Sequence, residues 1–167
     1  MIISRTPYRI SFFGGGSDYP EWLNNNFGEV ISVTIDKYVY ISFRELEPFF
    51  GYKHRLSYSK IENINQINKI KHRALRGLFK YFKPNSGIEM HYDGDLPAKS
   101  GMGSSSSFSV GAINAYHALI NKKINKESLA KKSIYFEHKI LKETVGVQDQ
   151  IAVSYGGFNF IKMGKKK

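Results

Sequence analysis

Pro97-Ala98-Lys99-Ser100-Gly101-Met102-Gly103-Ser104-Ser105-Ser106-Ser107 is the stretch on which the fold turns. Ile88-Glu89-Met90-His91-Tyr92 before it has strand character, and Phe108 to Ile120 after it is apolar, rich in small residues and free of proline. The pattern predicts strand, glycine-rich loop, helix. Glycine admits positive φ and a close approach of the backbone to a ligand. The first N–H groups of a helix lack internal partners and point outward along the positive end of its dipole, so such a start suits phosphate. Serine hydroxyls add donors for phosphate oxygens and oxygen ligands for Mg²⁺. By spacing alone a serine-capped helix fits as well. No Lys follows the last glycine, as a Walker A loop requires, and G-x-G-x-x-G is not met.

Upstream, Ile2-Ile3-Ser4-Arg5 and Arg9-Ile10-Ser11-Phe12-Phe13 read as short strands split by Pro7. Gly14-Gly15-Gly16-Ser17-Asp18 then forces a tight turn. Asp18 is either its Asx cap or, with Arg9, one of two groups facing a pocket. Gly28–Ile35 and Tyr38–Arg44 are β-rich, with Asp36-Lys37 as a two-residue turn between them. Arg55–Ser59 is a further strand, and apolar spacing predicts a helix over Asn63–Phe82. Asp93 and Asp95 read as turn formers on the way into the loop.

Downstream, Asn125 is placed to N-cap a helix over Lys126–Glu143. Ala130, Ile134, Glu137 and Leu141 share one face of it, which puts Glu137 inside the stripe that should be buried. An unpaired buried carboxylate costs several kcal/mol, so Glu137 must be ion-paired, protonated or on a metal. Asp149 follows Gly146 and precedes a small-residue helical turn. From the residues alone, an N-cap role suffices.

Three segments together resemble the GHMP kinases, the family of galactokinase, homoserine kinase and mevalonate kinase. The loop resembles its phosphate motif. Arg5-Thr6-Pro7-Tyr8-Arg9 through Gly14-Gly15-Gly16-Ser17-Asp18 resembles its first motif, in the form found among D-glycero-D-manno-heptose 7-phosphate kinases and related sugar kinases. Gly146-Val147-Gln148-Asp149-Gln150 through Gly156-Gly157 resembles a third segment. The resemblance implies a catalytic pair of Asp149, as base, and Arg9, near the transferring phosphate. It implies nucleotide binding by Lys99, Gly101, Met102, Gly103, Ser104, Ser105 and Ser106, and Mg²⁺ held by Ser105 and Glu137. The acceptor sugar would meet Gly15, Gly16, Ser17, Asp18 and Asp149. Eleven residues separate Glu137 from Asp149, as they separate the metal-binding Glu from the Asp in mevalonate-kinase-like members.

The implied fold is α+β of the ribosomal protein S5 domain 2-like type, a mixed, largely antiparallel sheet with helices on one side. Pattern alone supports α+β with five or six strands and three main helices. The implied function is ATP- and Mg²⁺-dependent transfer of the γ-phosphoryl group to a sugar or sugar phosphate. The expected acceptor is D-glycero-D-manno-heptose 7-phosphate at its anomeric position, for surface polysaccharide precursors. Competing readings are a fucokinase-like or other sugar-1-kinase, an inactive remnant, and an S5-like nucleic-acid-binding module.

The 167 residues fit one domain, with 41% hydrophobic residues and 12 Phe and 11 Tyr to build a core. Residues 1–160 are assigned to the family's N-terminal domain and 161–167 to a solvated basic tail. The family's second, ferredoxin-like domain is not expected in this chain, which points to a truncated form, a partner supplying that domain, or a homo-oligomer. There are no cysteines, hence no disulfides and no thiolate metal site. No signal peptide or membrane segment is apparent, so the expected location is the cytoplasm. The net charge of +11 suits a phosphorylated substrate, and no helix-turn-helix, zinc finger or RNP signature accompanies it, so nucleic acid is not the expected partner.

Overall fold

The computed structural model describes residues 1–98 and 100–164. Ile2–Phe13 form strand β1 and Gly28–Leu46 form strand β2, a single run of 19 residues. The two pair antiparallel from Ile2 opposite Phe43 to Phe13 opposite Ile31. Pro7 does not split β1; it sits beside a register shift between Pro7 and Arg9, where its missing N–H is tolerated. Asp36-Lys37 is not a hairpin turn either. Both halves of β2 pair with β1 rather than with each other, and residues 35–37 fall in the shift between the Thr34 and Tyr38 pairings.

Six strands form one sheet in the order β1-β2-β5-β3-β4, where β3 is His54–Ser57, β4 Ile61–Ile64 and β5 Gly87–Gly94. β6 (Phe158–Met163) pairs with the first part of β2. Among the described residues only the β3–β5 pairing is parallel. Ile161 to Met163, read from sequence as tail, therefore belong to the sheet, with Ile161 buried beside Val30 and Ala152. Lys165–Lys167 lie outside the described residues.

The helix read over Asn63–Phe82 shrinks to α2, Arg73–Phe82, preceded by β4 and a short 3-10 turn at Ile67–Lys69 (a one-turn helix, α1, spans Pro20–Leu23). The cause is Glu62. Its buried carboxylate accepts the amide N–H of Lys71 at 2.8 Å and of His72 at 3.3 Å, and the hydroxyl of Tyr58 at 2.7 Å. Amides held this way cannot enter a helix ladder, so the helix begins after them, with His72 as its cap.

α3 (Ser104–Leu119) lies across β1 and β2. Its small residues permit the close approach: a Cβ on Gly111 would lie 2.8 Å from Thr6 Oγ1. α4 (Lys126–Tyr135) is capped by Asn125, whose Oδ1 accepts the Ser128 N–H at 2.8 Å. The predicted continuation to Glu143 instead becomes a π-helical turn, Phe136–Ile140. α5 (Gln148–Tyr155) makes a fourth main helix. The helices pack on one side of the sheet, over a core that includes Tyr8, Ile41, Phe43, Leu56, Leu78, Phe79, Ile113 and Phe136. This is the mixed α+β, S5-domain-2-like arrangement.

Candidate active site

The loop before α3 turns on two glycines in the left-handed region, Gly101 and Gly103, each at φ 76°. Gly103 is the N-cap of α3 and supplies no side-chain cap, so the first amides of the helix face outward unpaired by any capping side chain. Ser104 and Ser105 line an open cavity beside it, and Ser105 is exposed. Lys99, expected to assist here, lies outside the described residues.

Arg9 ties this loop to α5. Its amide donates to the Met102 carbonyl at 3.1 Å and its Nη1 to the Gly101 carbonyl at 3.0 Å. Its Nε and Nη2 donate to Asp149 Oδ1 and Oδ2, both at 2.6 Å. A Cβ on Gly103 would lie 3.3 Å from Arg9 Cγ and 3.4 Å from Asp149 Oδ2. The loop thus touches the Arg9–Asp149 pair directly, and two of the sequence-predicted residues are brought together with it.

Asp149 is one of three consecutive residues on α5 that each reach a different wall. Gln148 Nε2 donates to Asp18 Oδ1 at 3.2 Å, and its Oε1 accepts from Ser11 Oγ at 2.6 Å. Asp149 binds Arg9. Gln150 Nε2 donates to Glu137 Oε2 at 2.6 Å. Neither glutamine received a role from the sequence; the only available signal was their place on either side of Asp149.

Glu137 sits in the π-helical turn with 0% exposure. Inserted π turns often mark functional positions, because the extra residue turns a side chain out of the regular stripe. Ser106 Oγ donates to Oε2 at 3.1 Å, alongside Gln150. Oε1 is buried and accepts no hydrogen bond from the described residues. Burial pushes the carboxyl up to about 7, against the opposing pull of Ser109, Gln150 and Ser106; Ser109 is near but makes no aligned hydrogen bond. No ion pair neutralises Glu137, so the ion-pair alternative does not hold among the described residues. The serine bonded to it is Ser106, not Ser105.

A hard cation fits this donor set. An orphaned carboxylate oxygen and adjoining hydroxyls are oxygen ligands, and Mg²⁺ is commonly held by one carboxylate plus substrate phosphates. Among the described residues no group of three or more His, Cys, Asp or Glu could hold a metal by itself.

Asp18 is enclosed beneath its turn. It is 1% exposed, and its carboxylate accepts from Gly16 N, Gln148 N and Gln148 Nε2 at 3.2, 3.0 and 3.2 Å. Gly15 and Gly16 are exposed on the same turn, and Ser17 is half-buried with its hydroxyl on the Gly14 carbonyl at 2.7 Å.

Beside the loop, a cavity of about 240 Å³ is lined by Tyr58, His72, Ala74, Leu75, Tyr92, Ala98, Ser104, Ser105 and Phe108. His72 stands edge-on to Tyr58, with ring centroids 4.9 Å apart. Burial lowers its pKa, and its Nδ1 accepts the Leu75 N–H, which leaves the proton of the neutral ring on Nε2. No sequence signal marked this cavity, because its walls come from four separate segments. No helix of the described residues is long and apolar enough to cross a membrane.

The chain matches the family described as GHMP kinases N terminal domain over residues 68–157. It is 29% identical to D-glycero-alpha-D-manno-heptose 7-phosphate kinase of Campylobacter jejuni, across 99% of this chain and 52% of that protein. It is 27% identical to galactokinase of Pyrococcus furiosus, across 93% of this chain and 44% of that protein. The crystal structure of a D-glycero-D-manno-heptose 1-phosphate kinase from Bacteroides thetaiotaomicron shares the fold, with a TM-score of 0.85 at 21% identity over 97% of this chain and 56% of that one. The chain spans about half the length of the relatives it matches. The match over residues 68–157, which includes the glycine loop, α3 and the Asp149 segment, shows that the chain belongs to the GHMP kinase family and carries its N-terminal domain.

Proposed function

We propose that this chain forms the nucleotide- and acceptor-binding part of an ATP-dependent sugar kinase. One observation carries the reading: Asp149 is clamped by Arg9 against the glycine loop, at the uncapped start of α3. A carboxylate, a guanidinium and free amides converge where a hydroxyl would meet a terminal phosphate. Phosphoryl transfer asks for positioning and charge neutralisation more than for covalent chemistry.

The amides at the start of α3 would hold phosphate oxygens. Asp149 would accept or orient the proton of the attacking hydroxyl, and Arg9 would stabilise charge on the transferring group while holding Asp149 in register. Glu137, with Ser106 and Ser105 nearby, would hold Mg²⁺, which when bound neutralises phosphate charge. The aromatic cavity beside the loop suits a nucleobase, with His72 Nε2–H as a donor to a ring nitrogen. Gly15, Gly16 and Ser17 would border the acceptor.

D-glycero-D-manno-heptose 7-phosphate is the proposed acceptor, phosphorylated at its anomeric hydroxyl in the cytoplasm, where ATP is available. Its support is the Campylobacter jejuni relative together with the net charge of +11. The test is calorimetry of Mg²⁺·ATP on the chain, followed by phosphoryl transfer to that heptose phosphate, galactose and mevalonate in parallel. Micromolar Mg²⁺·ATP binding that E137Q abolishes, with transfer to the heptose phosphate alone, is the expected result. Transfer to galactose or mevalonate instead would overturn the acceptor, and no Mg²⁺·ATP binding would overturn the nucleotide site.

A further inference from the structure

We infer that Asp18 is a positioning residue that locks the start of α5, and with it Asp149, through a socket left open by Gly146. The inference rests on the reading of Asp149 as the group that meets the attacking hydroxyl. It gives Asp18 a role that does not depend on direct sugar contact.

The carboxylate is sealed in. Oδ2 accepts from the Gln148 N–H at 3.0 Å, and Oδ1 accepts from the Gln148 side-chain amide and the Gly16 N–H, both at 3.2 Å. The main chain adds a contact, the Val147 N–H to the Asp18 carbonyl at 3.3 Å. Gln148 is the first residue of α5, so Asp18 satisfies one of the helix's free amides and complements its dipole. Gln148 passes the constraint on, since its Oε1 accepts from Ser11, two residues along β1 from Arg9. The frame Asp18–Gln148–Ser11 therefore sets the first turn of α5 against the strand that carries Arg9.

Gly146 explains why the lock can close. It is not in the left-handed region, so backbone conformation does not demand glycine there. Space does: an added Cβ would fall 1.7 Å from Asp18 Oδ2 and 2.3 Å from its Cγ. The first and third motifs of the sequence thus meet at one contact, each shaped by the other.

The test uses D18N and G146A in the full chain. Asn points an NH₂ or a weaker acceptor at Gln148, and Ala evicts the carboxylate without changing its charge. Amide hydrogen exchange at Val147 and Gln148 is measured, with steady-state kinetics on Mg²⁺·ATP and D-glycero-D-manno-heptose 7-phosphate. Both variants should exchange these amides at least about tenfold faster, with β2 and β5 amides unchanged. Both should lose about tenfold or more in kcat, with KM for the heptose phosphate within about twofold. Unchanged exchange in both variants, or a raised KM with kcat retained, overturns the inference. If the unaltered chain turns over no acceptor, this part is inactive by itself, and exchange alone decides the lock. Should D18N not fold, G146A perturbs the same contact with Asp18 intact.

Discussion

The guanidinium of Arg9 and the carboxylate of Asp149 meet side-on, Nε to Oδ1 and Nη2 to Oδ2, each at 2.6 Å. Such a fork fixes orientation as well as distance. D149N is therefore expected to lower phosphoryl transfer by about 10²–10⁴-fold while leaving Mg²⁺·ATP affinity within a few-fold. R9K keeps the charge but not the fork, and about 10²-fold of turnover should go with the misplacement. A coupled ATP assay beside calorimetry separates the two quantities.

Glu137 supplies a second prediction. Its folded pKa, about 7, stands above the ordinary 4.5, so the protonated form favours the fold. That stability is present below about pH 4.5 and is lost as pH rises through about 7, up to about 3 kcal/mol. Without Mg²⁺, E137Q should be more stable than the unaltered chain at pH 8 and equal to it near pH 4.5. Thermal melts across that range check the sign. With Mg²⁺·ATP the order reverses in affinity, and S106A should weaken binding more than S105A, because Ser106 is the serine bonded to the carboxylate.

His54 contributes to the acid limb. It is 1% exposed, its Nδ1 accepts the Ile88 N–H at 3.2 Å, and burial, with Lys53 nearby, lowers its pKa from 6.5 to about 4. Folding favours the neutral ring. The contribution is complete above pH 6.5 and is lost as pH falls through about 4, up to about 3 kcal/mol. H54Q should flatten the stability profile between those values, measured by urea unfolding at fixed ionic strength.

Gly103 is held at φ 76° with Arg9 Cγ and Asp149 Oδ2 within 3.4 Å of a would-be Cβ. G103A combines about 1–2 kcal/mol of left-handed strain with pressure on the catalytic pair. Mg²⁺·ATP affinity should fall about tenfold or more, and turnover further still. G101A, which meets no neighbouring atom, should show the backbone part alone.

The parts of the site that were legible in the sequence are those whose chemistry is rare in its setting. Glu137 stood out as a carboxylate in an apolar stripe, and Gly101 and Gly103 as glycines before a helix. The remainder depended on partners far along the chain. Asp36-Lys37 looks like a turn until β1 is seen to pair on both sides of it. The helix start at Arg73 depends on Glu62 taking two amides that local spacing assigns to the helix. Nothing near Asp18 in sequence announces that Gly146 will leave a hollow for its carboxylate. Gln148 and Gln150 carry no charge, and an amide side chain has no signature until its neighbours are known.

The length of β2 bears on how the molecule comes apart. One continuous strand pairs with β6 and β1 in its first half and with β1 and β5 in its second. The edges of the sheet are β1 on one side and β4 and β6 on the other, so β2 is paired on both sides along most of its length and fraying from any edge must pass a neighbour before reaching it. The amides of Val39 to Phe43 should then exchange only through global unfolding and report the whole free energy of the domain. β1 and β2 are consecutive along the chain and pair over most of β1, so this hairpin-like pair is expected to form early in folding. Substitutions in β1 and β2 should slow folding, and those in β6 should mainly speed unfolding.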